Sequence, residues 1–148
     1  MPATKQSAKP FNVQVKEDED PPPSGLHLYV SGPMRGLPQY NFPAFDEAEQ
    51  RLAMEGHTVV SPAALDREVG FDPDTTFTVE DFYAAMRRDI GVLLGHAEQA
   101  PGQFGIVLLP GWQGSEGVRI ERTVNAAVGG RTFTYNPSIL GCLVEVAS

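Results

Sequence analysis

Cysteine is nearly absent from this chain. Cys142 is the only one in 148 residues, so no disulfide can form within it. A lone free cysteine of this kind is expected to act as a small buried hydrophobe in a strand. Long apolar runs are missing too. No stretch approaches the roughly 20 residues of a membrane-spanning helix, and the first residues lack the apolar core of an export signal. A cytoplasmic location is therefore expected, in the host cytoplasm if the source is a phage. Positive charge is scarce: 11 Lys and Arg stand against 19 Asp and Glu, a net charge of −8. A general nucleic-acid binder needs a basic face to displace counterions. No nucleic-acid polymer and no membrane is expected as a partner, although a few local donors can still hold one phosphate.

Several familiar site patterns are also missing. His27, His57 and His96 show no metal-ligand spacing with Cys142 or with carboxylates, so no metal and no cofactor is expected. Residues 31–36 are not a G-x-G-x-x-G fingerprint, and no P-loop follows. Ser115 is not set in a G-x-S-x-G elbow, and Cys142 has no partner histidine in a recognisable nucleophile pattern.

What the chain does have is one domain's worth of alternating strand and helix signals. Residues 1–25 read as a disordered acidic, proline-rich tail, with a charge run before Pro21, Pro22 and Pro23. Phe11, Val13 and Val15 alternate and could add a loosely attached strand. Residues 26–148 read as the folded domain. Strands are expected over 26–31, 57–60, 105–109, 131–135 and, at an edge, 142–146. Helices are expected over 43–55, 78–94 and 115–128, with long loops over 61–77 and 95–103. Asn41 is a candidate N-cap, Gly56 a C-cap glycine, and Gly129-Gly130 a helix stop. Phe42, Phe45, Ala48 and Leu52 fall on one stripe of the first helix. Val79, Phe82, Met86, Ile90 and Leu93 do so on the second. This β-α-β-α-β-α-β order predicts a single doubly wound, Rossmann- or flavodoxin-like α/β domain. Its sheet is expected to be parallel and four- to five-stranded, with helices on both faces.

Two segments stand out. Leu26-His-Leu-Tyr-Val-Ser-Gly-Pro-Met-Arg-Gly36 and Gly105-Ile-Val-Leu-Leu-Pro-Gly-Trp-Gln-Gly-Ser-Glu-Gly-Val-Arg-Ile-Glu121 each begin as an apolar strand and break at Gly and Pro. Ligands of open α/β sheets bind just past the carboxyl ends of strands. Glu121, six residues after Ser115, would hang over that rim; the bland alternative is a solvated residue between Arg119 and Arg122. Asp89 sits near the negative end of its helix, where a carboxylate is unfavourable unless paired, with Arg87 or Arg88 for example. Tyr29 lies on the strand face opposite Leu28 and Val30. It is either a core tyrosine or a hydroxyl that orients a carboxylate. Ser31, Gly32, Pro33, Met34, Arg35 and Gly36 form a loop able to offer N–H groups and one cation to a ligand. Ser115 and Gly117 open a helix whose free N–H groups favour an anion. Trp112 either stacks on a ligand ring or packs as core or lid.

Together these residues resemble the nucleoside 2-deoxyribosyltransferase superfamily, nearest to the 2-deoxynucleoside 5-monophosphate N-hydrolases and to short phage and bacterial members with Gly-Pro-Met and Leu-Pro-Gly-Trp runs. The resemblance covers residues 26–136. It implies that Glu121 is a nucleophile that forms a covalent glycosyl ester, that Asp89 manages the proton on the leaving base, and that Tyr29 orients Glu121. The transferases usually carry Asp where this chain has Ser115, and the monophosphate hydrolases carry Ser. A Ser hydroxyl can donate to a phosphate that an Asp would repel, so a nucleoside 5-monophosphate is the implied substrate. Relatives complete their sites with a neighbouring subunit, which implies a homodimer or higher homo-oligomer. Phe71, Phe77, Phe82 and Tyr83 are aromatic candidates for that contact, or equally for core. Arg119, Arg122, Trp112 and a long 95–104 loop depart from the common pattern. The rival expectation is a pocket that binds a nucleotide or nucleotide-derived signal without cleaving it.

Overall fold

The computed structural model describes residues 25–148. The tail expected over 1–25 and the strand at Phe11, Val13 and Val15 lie outside the described residues, Gly25 excepted. The alternation of the first apolar segment becomes β1, His27–Ser31. Leu28 and Val30 face one side and Tyr29 the other, each fully buried. α1, Phe42–Met54, follows. Its buried stripe is Phe42, Phe45, Ala48 and Leu52, as its 3.6-residue period predicts. Gly56, at φ +97°, turns the chain into β2, Thr58–Val60.

The segment expected to be a loop over 61–77 contains a helix, α2, Pro62–Glu68. Ser61 accepts a hydrogen bond from the Ala63 N–H at 3.2 Å, and Pro62 opens the first turn without needing a donor. These two residues were the signal for it, obscured by the Asp, Gly and Thr that follow. α3, Val79–Gln99, starts at a capping box in which Thr78 and Asp81 satisfy each other's backbone N–H groups. It runs five residues past the expected end, so most of the 95–103 loop is helical. The extension buries His96 against the edge of His27, ring centres 5.4 Å apart. The buried face of α3 also differs from the predicted stripe. It consists of Asp89, Leu93 and His96, while Val79 is exposed.

β3, Phe104–Leu108, is buried at every residue, as a central strand should be. α4, Glu116–Ala127, is capped by Ser115, and Gly129 at φ +83° ends it ahead of β4, Arg131–Tyr135. β5, Leu143–Val146, closes the sheet, with Cys142 buried just ahead of it. The strand order is β2-β1-β3-β4-β5. β1 to β4 are parallel, but β5 pairs antiparallel with β4. That corrects the all-parallel expectation. Only residues 136–142 separate the two strands, enough for a hairpin and too few for a crossover. α1 covers one face of the sheet; α3 and α4 pack against the other. The chain thus reverses winding direction between β1 and β3, and their carboxyl ends open a crevice there.

Candidate active site

Glu121 points into that crevice from α4. It is only 5% exposed, which excludes the solvated reading. Tyr29 Oη donates to its Oε2 at 2.9 Å, and Ser31 Oγ donates to its Oε1 at 2.6 Å. β1 supplies both hydroxyls, because residues two apart on a strand share a face. Burial raises the Glu121 carboxyl to about 8, helped by the charge of Asp89 and opposed by the two hydroxyl donors. Tyr29 is pushed well above its ordinary value by burial and by the charge of Glu121, so it remains a donor.

Asp89 reaches the same place from α3 and is 3% exposed. It lies close enough to Glu121 and Tyr29 for its charge to act on both. Burial raises its carboxyl above the ordinary range, while Arg88 pulls the other way. Arg88 Nε donates to Asp89 Oδ1 at 2.8 Å, and Arg88 Nη1 donates to Asp66 Oδ1 at 2.8 Å. Asp66 was not among the candidates legible in the sequence. It lies on α2, within the stretch expected to be loop, and lines the cavity. Recognising the Ser61-Pro62 helix start would have placed it one turn in, facing α3.

These groups border a cavity of about 360 Å³. Gly32, Pro33, Met34 and Arg35 line one side; Ser115 and Gly117 line another. Gly32 has a steric reason: a Cβ there would sit 2.8 Å from Leu109 Cβ, where the loops after β1 and β3 meet. Arg35 lies over two rings, its guanidinium carbon 4.9 Å from the Phe77 centre and 5.4 Å from that of Phe82. Tyr40 packs edge-on against Phe71 at 5.2 Å. Three successive residues, Gln39, Tyr40 and Asn41, have φ between +53° and +59°, a conformation that costs L-residues roughly 1–2 kcal/mol each. Asn41 does not cap α1 with its side chain, as the sequence had suggested. Its Nδ2 donates to the Pro33 carbonyl at 2.9 Å, tying the strained turn to the cavity wall.

The remaining candidates fall in other places. Ser115 Oγ accepts from the Val118 N–H at 3.3 Å, leaving its own hydroxyl hydrogen free to be donated. Ser31 lies beneath the cavity as a partner of Glu121. Gly36 is exposed in a turn and does not line the cavity. Trp112 lines a separate hollow of about 160 Å³ beside the start of α4. The Arg122 guanidinium covers its ring at 4.6 Å. Arg119 pairs with Glu116. Of the aromatic candidates for a subunit contact, Phe71 and Phe77 pack on Tyr40 and Phe82 lines the cavity. Tyr83 alone is exposed. Among the described residues, no cluster of His, Cys, Asp and Glu could hold a metal ion, and no helix is long and apolar enough to cross a membrane.

The family described as a domain of unknown function, DUF4406, matches residues 26–133, and the chain belongs to it. No curated protein and no solved structure matches the chain.

Proposed function

We propose that this DUF4406 domain is an N-glycosidase, hydrolase or transferase, acting on a (deoxy)nucleoside 5-monophosphate through a covalent glycosyl ester on Glu121. One observation carries the reading. A buried glutamate, gripped by two hydroxyls, faces a second buried carboxyl at the wall of a nucleotide-sized cavity. Paired carboxyls of unlike environment are the working parts of retaining glycosidases. The resemblance to nucleoside 2-deoxyribosyltransferases supplies the substrate class.

In the proposed reaction a Glu121 oxygen bonds to the anomeric carbon. The bond from that carbon to the base nitrogen breaks, and its electron pair stays on the nitrogen. Asp89, as the acid, protonates the departing base. Water then attacks the anomeric carbon, Asp89 takes the water's proton, and the Glu121 ester is released. A second base in place of water would give transfer. Tyr29 and Ser31 hold Glu121 in line for attack. The start of α4, with Ser115, and the Arg35 guanidinium would bind the phosphate. Cytoplasmic location and a homo-oligomeric state belong to the same proposal, the latter checked by light scattering at micromolar concentration.

Base release from a panel of deoxynucleotides, with Glu121→Ala as control, tests the reading. Release by the natural chain and none by the variant supports it. Tight nucleotide binding without release would turn the site into a sensor and end the glycosidase assignment.

A further inference from the structure

Arg88 is shared between two carboxyls. Its Nε reaches Asp89 at 2.8 Å and its Nη1 reaches Asp66 at 2.8 Å. All three line the cavity, and neither acid is well exposed: the Asp66 side chain is 14% exposed and that of Asp89 4%. A structural ion pair would need only one of the two acids, and Arg88 alone would suffice to offset the cost of burying the Asp89 carboxylate, which the length of α3 places at mid-helix rather than near its negative end. The second acid comes from a different helix, α2, and faces the ligand space. We propose that Asp66 is a positioning residue which, by holding and partly neutralising Arg88, sets how readily Asp89 accepts the proton it must pass to the leaving base. The inference rests on the glycosidase reading above.

The proton inventory explains why such a device is needed. Attack requires Glu121 as a carboxylate and Asp89 as an acid. At rest Glu121 keeps its proton to about 8, while burial raises Asp89 and Arg88 draws it back toward the anion. Before or during attack, one proton must pass from Glu121 to Asp89, and from there to the base nitrogen as the glycosidic bond breaks. An undivided Arg88 would hold Asp89 anionic and oppose this transfer. Asp66 places a negative charge on the far side of the guanidinium, and that charge raises Asp89. The other groups facing the pair are Tyr29 and Ser31 from β1. Arg35 after β1 and Glu116 at the head of α4 complete the charged lining.

Asp66→Asn removes the charge but keeps an oxygen to accept from Arg88, so the guanidinium stays in place. In that variant the alkaline limb of the kcat profile should move about one unit to lower pH, the size expected of one nearby charge. At pH values well above the limb kcat should fall about tenfold, with KM nearly unchanged. Asp66→Glu should restore the limb. Carbon-13 titration of the Asp89 and Glu121 carboxyls, followed by NMR without substrate, should show the same displacement. A limb and a titration that stay in place, or move to higher pH, in a variant folded by circular dichroism would overturn the proposal. If the natural chain releases no base, the glycosidase reading fails separately, and the NMR titration decides the role of Asp66 by itself.

Discussion

The two faces of the sheet are built on different terms. Under α1 lies a broad apolar layer in which Leu28, Val30, Phe45, Leu52, Val107 and Phe133 are all sealed from water. Under α3 and α4 the fully apolar part shrinks to Tyr29, Leu93, Ile106, Leu108 and Val118. The rest of that face buries Asp89, Glu121, Ser31, His96 and Asn125. Each buried aliphatic or aromatic side chain contributes roughly 1.5–3 kcal/mol, whereas a buried carboxyl costs free energy unless it is paired or protonated. One face therefore holds the domain together, and the other spends part of that stability on a polar site.

The largest expected effect separates the two faces outright. Glu121→Ala should lower base release by several orders of magnitude while leaving the circular dichroism spectrum unchanged, because a missing nucleophile removes a reaction step and little packing. Wild-type turnover in that variant would dismiss Glu121 as nucleophile. On the α1 face, Leu52→Ala should cost about 2–5 kcal/mol in urea unfolding, the usual penalty for a large-to-small core change. A loss under 1 kcal/mol would mean that this layer is not the stabilising one.

The polar face should also leave a pH signature. The Glu121 carboxyl titrates near 4.5 when unfolded and at about 8 when folded. Below pH 4.5 both states hold the proton. Between 4.5 and 8 only the folded state does, so unfolding free energy should fall across that window, by an amount on the order of a few kcal/mol, and then level off. Glu121→Gln should flatten the slope and make the domain more stable than its parent at pH 9. Equal slopes in denaturation series at pH 5, 7 and 9 would remove Glu121 from the account. The smallest effect concerns the rim. Ser115→Asp keeps a helix cap, yet sets a negative charge against a phosphate. It should weaken 5-monophosphate binding by about tenfold, the scale of one charge at a helix start. Calorimetry showing equal affinity for monophosphates and nucleosides in the natural chain would refute the phosphate assignment.

Much of this contrast was legible in the sequence. Strict alternation in residues 26–31 and the wholly apolar 105–109 give the two central strands. The stripe from Phe42 to Leu52 gives the sealed face. Tyr29 and Glu121 stood out by their places near strand ends and Asp89 by an unpaired charge expected late in a helix, and the structure brings the three together. What escaped was long-range or masked. The partnership of Ser31 with Glu121 spans 90 residues, and no local period encodes it. α2 was hidden by turn-forming neighbours, and Asp66 with it. The stripe of α3 kept Leu93 but missed Asp89 and His96, because an apolar count could not anticipate that the helix buries polar side chains. β5 was given the wrong direction, since strand propensity is silent on orientation and only the short connection from Tyr135 decides it.

The two margins of the sheet bear on how this chain behaves at high concentration. An unpaired strand edge is a template onto which another chain can zip. One margin is β2, three residues long, too short to offer much of a ladder. The other is β5, where Glu145 is clamped by two hydrogen bonds from Arg131 and places a charged pair beside the open strand. Neither margin invites strand-by-strand accretion, so the domain should stay dispersed under crowding rather than seed fibres. Among the described residues, self-assembly would then proceed through helices and loops rather than through these margins.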